Sequence, residues 1–380
     1  MEYSDNPIRQ HQRYLAIDVL RGLTVALMVV VNNPGTWESI YSPLEHALWH
    51  GFTPTDMVFP SFLFVVGNAM SFSMRKFGGQ PHHVLLKKIL VRTLLIFLIG
   101  LFLNAYPFVR LGESGLEARD LTAVRIFGVL QRIALCYGMA ALIVLYMSGK
   151  SAMWAGAAIL IGYWALMSYF GSGTDPYGLE GNAVRELDLW IIGPVNLYKG
   201  EGIPFDPEGI LSTLPAVVNV LGGYFAGQFI QQYGHSRHSI TKLITAGALL
   251  VAIGLAWHLL FPINKKIWTS SYVVLTVGLS TLLLAALVFI IEVKRSTRWV
   301  YFFEVFGRNP LVLFAMSGII VKTMALFSVS ELPLKLWIFK TFFVPLNNIK
   351  LASLAYAISF MLLIWLIGFF MDRRKIYIKV

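Results

Sequence analysis

Residues 45–60, EHALWHGFTPTDMVFP, set two histidines and two acids between two strongly apolar runs. His46 and His50 stand four apart, a spacing that can place two imidazoles on one helix face for a metal. The H-E-x-x-H arrangement is absent and no third ligand is evident, so no metal is expected. The other use of an imidazole beside an acid is proton transfer. With an intrinsic pKa of about 6.5, it takes and gives a proton near neutrality. A carboxylate such as Asp56 can fix its tautomer and orientation. On residue types alone, His46 as a catalytic base and His46 as a buried histidine satisfied by its neighbours both stay open.

Other polar residues interrupt apolar runs where each costs a few kcal/mol at membrane depth. Asp18 and Arg21 in AIDVLRG lie three apart on one helix face and can neutralise each other, or Arg21 can meet an anionic cofactor. In GVLQRIAL, Gln131 accompanies Arg132, which has no acid within one turn. The partner of Arg132 must come from another helix or from a ligand. FGRNP places Arg308 and Asn309 at the start of an apolar run, where a helix N-terminus can also receive phosphate. Asn32, Asn33 and Asn68 add amides, which in such helices serve more often as interhelical contacts than as ligands.

The elements that must position these groups follow from composition. The 380 residues are 57% hydrophobic and 13% charged, with a mean hydropathy of +0.66. A soluble protein cannot hide that much apolar surface behind so few charges. Runs such as 246–261 are apolar on all sides, which excludes an alternating β-barrel pattern. The expected fold is an all-α polytopic membrane protein with ten spans, near 15–33, 55–74, 89–107, 127–147, 152–170, 209–231, 243–261, 271–292, 305–327 and 350–371. The N-terminus lacks a short apolar core followed by a small-residue cleavage site, so the first run is expected to remain as a helix. The single cysteine, Cys136, excludes a disulfide framework.

The net charge of +11 sits in short gaps between spans, which fits orientation in a bilayer rather than nucleic-acid binding. Most lysines and arginines, Arg9, Arg13, Arg75, Lys76, Arg373, Arg374 and Lys379 among them, fall in the gaps on the side of both termini. Both termini are therefore expected in the cytoplasm, with extracytoplasmic loops at 34–54 and 171–208. The second loop is acidic and can be either a substrate wall or a solvated connector. GYFAG at 223–227 is a small-xxx-small pattern for helix packing.

Four blocks are more specific: AIDVLRGLTVALMVVVNN, EHALWHGFTPTDMVFPSFLFVVG, GVLQRIALCY and FDPEGILSTLPAVVNVLGGYFAG. In this order they resemble the heparan-α-glucosaminide N-acetyltransferase family, including its bacterial NagX-like members tied to N-acetylglucosamine use. The resemblance runs from the first span to the sixth and is looser beyond. It implies a transmembrane acetyltransferase. Acetyl-CoA is presented on the cytosolic side, and its acetyl group is delivered to the amine of a glucosamine on the other side. The family's active histidine lies in a His-Ala-x-Trp-x-Gly motif that falls on His46, Trp49 and Gly51, while His50 holds a variable place. The family asparagine falls on Asn32, the acid of Asp-x-x-Phe-Pro on Asp56, and Leu-Gln-Arg on Gln131 and Arg132. The lysosomal enzyme carries an additional N-terminal luminal domain, whereas about fourteen residues precede the first span here. A small amino sugar or cell-envelope sugar is expected as acceptor rather than polymeric heparan sulfate.

The expected mechanism follows. Several negative charges keep the nucleotide of acetyl-CoA at the cytoplasmic face, near Arg21, Arg308 and Asn309. The pantetheine arm passes Gln131 and Arg132. His46 takes the proton of the attacking amine, and Asn32 donates to the developing oxyanion. Attack by His46 itself, through an acetylated enzyme, is the other course. An inner-membrane amino-sugar transporter and an O-acyltransferase acting on envelope polysaccharide are the alternative functions. Pro310 beside Asn309 hints at the broken helix a transporter would use. The bacterial inner membrane is the expected location, and the small-residue patch of the sixth span admits a homodimer.

Overall fold

Thirteen α-helices stand among the described residues. The structure, a computed structural model, describes residues 14–76, 79–112 and 115–378; Arg9, Arg13 and Lys379 of the charge pattern lie outside them. In chain order the helices are α1 (Leu15–Asn32), α2 (Val58–Lys76), α3 (His82–Ala105), α4 (Val129–Tyr146), α5 (Gly149–Phe170), α6 (Ala183–Ile191), α7 (Ile210–Tyr233), α8 (Arg237–Trp257), α9 (Ser270–Val288), α10 (Val300–Arg308), α11 (Pro310–Met324), α12 (Leu334–Ile338) and α13 (Ile349–Arg373). The described strands form two small hairpins, β1 (Val109–Gly112) with β2 (Gly115–Ala118), and β3 (Ser328–Val329) with β4 (Leu332–Pro333).

A helix stands at each expected span. Among the described residues eight helices are long and apolar enough to cross a membrane, and nine spans result if the pair α10–α11 counts as one. The expected ten differ from that count at α3, whose first half bears Lys87, Lys88 and Arg92. They differ again at α10–α11, which bends by 81°. Pro310 at the first position of α11 cannot continue the hydrogen bonding of α10. Two short helices, α6 and α12, arise inside segments that read as loops.

Helices α1, α2, α4, α7 and α9 form the inner layer, while α5, α8 and α13 turn leucines and isoleucines outward. Lipid is as apolar as those side chains, so close packing and interhelical hydrogen bonds must hold the inner layer. The α2–α7 seam shows both requirements. A Cβ on Gly223 would run into the backbone carbonyl of Phe64, one on Gly67 into that of Val220, and one on Gly227 into Ser71. The small-residue pattern at 223–227 is thus consumed within the chain against α2, and it offers no support for a homodimer. Polar contacts add to the layer: Ser61 meets Ser280 at 3.1 Å, and Asn219 donates to Thr276 at 3.0 Å.

Gly223→Val should destabilise the bundle, because the carbonyl it would strike is backbone and cannot rotate away. Overpacking of this kind costs about 1–3 kcal/mol. It should appear as a lower unfolding temperature in detergent, while Gly162→Ala, whose Cβ would meet nothing within 4 Å, leaves the temperature in place. Equal behaviour of the two variants would refute the tight α2–α7 seam.

Candidate active site

The segment between α1 and α2 builds the site at one end of the bundle. Pro54–Met57 forms a short 3-10 turn into α2, capped by Thr53 in a reciprocal box with Asp56. That box explains the Thr-x-x-Asp spacing. The Asp56 Oδ2 atom accepts from the backbone N–H of Ala47 at 3.2 Å, the N–H of Thr53 at 3.0 Å and the Thr53 hydroxyl at 3.1 Å. Its Oδ1 atom lies 2.7 Å from Nδ1 of His46. The Tyr272 hydroxyl on α9 donates to the Asp56 backbone carbonyl at 2.6 Å. Asp56 is 1% exposed and His46 37%, so the acid is locked in place while the ring faces open space. The Nδ1–H then points to the carboxylate, and Nε2 keeps its lone pair free.

Neighbouring residues fix the backbone that carries His46. Gly51 adopts φ +120°, a conformation side chains rarely take, and donates its N–H to Ile263 at 2.8 Å. The Trp49 indole donates to the Tyr177 carbonyl at 2.9 Å and packs edge-on against Phe205 at 5.5 Å. His50 sits 3.6 Å from Asp175 and 3.3 Å from Asn264, which gives it a role in holding loops together. Among the described residues no group of three His, Cys, Asp or Glu is arranged to hold a metal.

His46 and Asp56 open onto a cavity of about 210 Å³, walled further by Arg125, Tyr198, Glu201, Glu208, Lys265 and Lys266, with Trp268 at its base. The 171–208 loop therefore forms a wall and is not a solvated connector. Ion pairs pin that wall. Arg125 grips Asp206 at 2.6 and 2.8 Å and Glu208 at 2.5 Å. Burial works against its charge, but the two carboxylates outweigh that and hold the guanidinium above its usual range. Lys266 pairs with Glu201 at 2.5 Å and donates to the Leu48 carbonyl at 2.7 Å. Lys265 approaches His46 to 3.0 Å at Nδ1 and 3.2 Å at Nε2, and Asp56 to 3.6 Å.

The remaining expected site residues are dispersed. Asn32 ends α1 in an exposed position and is not among the cavity's walls. Arg132 is fully buried beneath the base: its guanidinium lies 4.8 Å from the Trp268 ring centroid and donates to Ser212 and the Gly209 carbonyl. Its Nε and Nη1 atoms have no hydrogen-bond partner. Gln131, also buried, donates to the Ile126 carbonyl at 2.9 Å. Neither side chain opens onto the cavity. At the far end of the bundle Arg21 bonds Asp18 and the Gly307 carbonyl, both at 3.2 Å. Arg308 pairs with Asp372 and Glu304, and the Asn309 side chain bonds the backbone of Ile376 and Ile378, at 2.9 Å each. The C-terminal part of the chain thus occupies Arg308 and Asn309, two of the groups expected to meet a nucleotide.

A family model described as heparan-alpha-glucosaminide N-acetyltransferase, catalytic, matches residues 13–262. The chain belongs to the heparan-alpha-glucosaminide N-acetyltransferase family. It is 27% identical over 355 residues to the heparan-alpha-glucosaminide N-acetyltransferase of Homo sapiens and 26% identical to that of Mus musculus. Each match covers 80% of this chain, against 52% of the human protein and 53% of the mouse protein. The chain therefore spans about half the length of these curated relatives. The family match takes in His46, Asp56, Gln131, Arg132 and the whole 171–208 wall, and stops three residues short of Lys265.

Lys265, Lys266, Arg125 and Tyr198 join the candidate site without having been singled out from the sequence, while Glu201 and Glu208 belong to the acidic loop read there as a possible substrate wall. The signals were faint: a Lys-Lys pair in the short α8–α9 connection and an unusually acidic long loop. That loop also holds Asp188, on α6, which is fully buried; its Oδ1 accepts from the Ile210 N–H at 3.0 Å and its Oδ2 has no partner. Burial, reinforced by Asp206, pushes the Asp188 carboxyl up to about 7. A carboxyl raised in the fold stabilises it at low pH and loses that contribution as pH rises through the folded value. Asp188→Asn should thus match the wild type in unfolding temperature near pH 4, exceed it increasingly as pH rises to about 7, and keep a constant lead above that. A difference that stays constant over that rise would contradict the assignment.

Proposed function

We propose that the chain forms a single transmembrane acyltransferase domain in a bacterial inner membrane, moving the acetyl group of cytosolic acetyl-CoA to the amine of a glucosamine-type sugar on the extracytoplasmic side. The observation that carries this reading is the His46–Asp56 pair, with its carboxylate immobilised and its imidazole facing a walled cavity. Family membership supports acetyl transfer as the chemistry. The cavity's volume is below the ~300 Å³ at which pockets for drug-sized ligands begin, which favours one small sugar over a polymer segment.

The chemistry assigned to the chain's own groups is short. As the amine nitrogen bonds to the thioester carbon, His46 Nε2 takes the amine proton. As the carbon–sulfur bond breaks, the same nitrogen returns a proton to the CoA sulfur. Asp56 keeps Nδ1–H oriented and stabilises the imidazolium between those events. Asn32 lies outside the sugar cavity, so the role assigned to it is a donor to the thioester carbonyl rather than a sugar contact. Arg75, Lys76, Arg295, Arg298, Arg373 and Arg374 are exposed at the opposite end, which supports a cytoplasmic assignment for that end. These exposed cations are better placed to attract the nucleotide than Arg308, whose charge is already matched by Asp372 and Glu304.

The 81° break between α10 and α11 favours a carrier. Against that reading, the freed Asn309 side chain is bonded to the C-terminal segment and not turned toward a cavity. Proteoliposomes holding labelled acetyl-CoA inside and glucosamine outside separate the readings. N-acetylglucosamine formed outside supports the enzyme, and unmodified sugar accumulating inside supports the carrier. CoA release without an N-acetyl product points to a hydroxyl acceptor.

A further inference from the structure

Among the described residues, Lys265 is the cation placed directly against the reactive ring. Its Nζ lies 3.0 Å from Nδ1 and 3.2 Å from Nε2 of His46. The lone-pair directions of these two nitrogens diverge, so an atom this near to both sits over the ring face and not along either lone pair. Nε2 is therefore still free, in the plane of the ring, to receive a proton. The amine is held by its position: Lys265 is 18% exposed, borders the cavity and lies 3.6 Å from the buried Asp56 carboxylate. The adjacent Lys266 turns the other way, to Glu201 and Leu48, so the two lysines are not interchangeable.

We propose that Lys265 is a catalytic residue of the acyl transfer, its ammonium holding the oxyanion that forms when the amine adds to the thioester carbonyl. This rests on the acyl-transfer reading above. Before addition, the site holds the Asp56 carboxylate, a neutral His46 and the Lys265 ammonium, with no net charge. After addition and proton transfer, it holds the carboxylate, an imidazolium, the oxyanion and the ammonium, again with no net charge. The oxygen's electron pair returns to carbon as the carbon–sulfur bond breaks and His46 protonates the sulfur. Burial draws the Lys265 ammonium below its usual range, and the Asp56 carboxylate 3.6 Å away opposes that and favours its keeping the proton throughout. Without this ammonium these groups would carry one net negative charge before and after the step, and the oxyanion would form with only the imidazolium to balance it.

The test compares K265M, K265Q and K265R with wild type and H46A in the proteoliposome assay, with unfolding temperatures measured in parallel. Removing an oxyanion donor typically lowers kcat by about 100- to 1,000-fold. K265M is expected to fall in that range with KM for both substrates within about threefold of wild type, and K265R is expected to recover at least tenfold over K265M. K265Q carries the same expectation should K265M fail to fold. A kcat for K265M or K265Q within threefold of wild type, or a K265R no better than either, would overturn the role of Lys265 while leaving the acyl-transfer reading intact. A wild-type protein that makes no acetylated sugar would instead remove the acyl-transfer reading itself.

Discussion

His46→Ala should reduce acetyl transfer by about 10²- to 10⁴-fold, the contribution general acid–base catalysis typically makes. The loss should fall on kcat, since His46 meets the amine as the new bond forms, while the sugar is held by the cavity walls. Because the ring is 37% exposed and opens onto the cavity, its removal leaves a space that solvent can enter. Added imidazole should therefore restore part of the activity of H46A and none to a variant with a damaged wall. The same variant separates direct transfer from a covalent route. Under direct transfer, wild-type protein incubated with radiolabelled acetyl-CoA alone retains no label on His46. Label that stays on the wild-type chain and is absent from H46A would establish an acetyl-imidazole intermediate and displace direct transfer. Activity of H46A near that of wild type would remove His46 from the mechanism.

The bundle was largely readable from the sequence because a bilayer permits few solutions: a long apolar run must be a helix. Helix bends and short helices were less readable. The α10–α11 break depends on Pro310 and on the pairing of Asn309 with residues 67 and 69 positions away. The nine residues of α6 lie within a polar stretch that lacks a span's signal. Within the site, His46 and Asp56 were legible because they are ten residues apart and share one turn. Lys265 and His46 are 219 positions apart, and Arg125 and Asp206 are 81 apart. Such pairs are brought together only by the packing of α4, α7 and α9, which a single sequence does not reveal. The GYFAG pattern was correctly a packing signal, yet its partner is α2 of the same chain, and only the close backbone approach shows it.

Asp56→Asn should be nearly as damaging as loss of the histidine, for a reason the geometry makes specific. The carboxylate now accepts from Nδ1–H at 2.7 Å, which leaves Nε2 without a proton. A carboxamide placed there can turn its NH2 group toward Nδ1. The favoured tautomer then carries its proton on Nε2, and the nitrogen facing the cavity can no longer act as a base. In the serine-protease triad the equivalent change lowers kcat about 10⁴-fold with the geometry intact, and a loss of about 10²- to 10⁴-fold is expected here. The Ala47 N–H, Thr53 N–H and Thr53 hydroxyl all need an acceptor at Oδ2, so the amide oxygen is bound to that side and the NH2 is forced toward the ring. This predicts a well-folded variant with wild-type substrate KM and a collapsed kcat. Asp56→Glu, which keeps the charge but lengthens the arm, should also lose activity, yet retain more of it than D56N. Should D56N turn over at a rate comparable to wild type, the carboxylate does not set the His46 tautomer, and the imidazole would have to work without it.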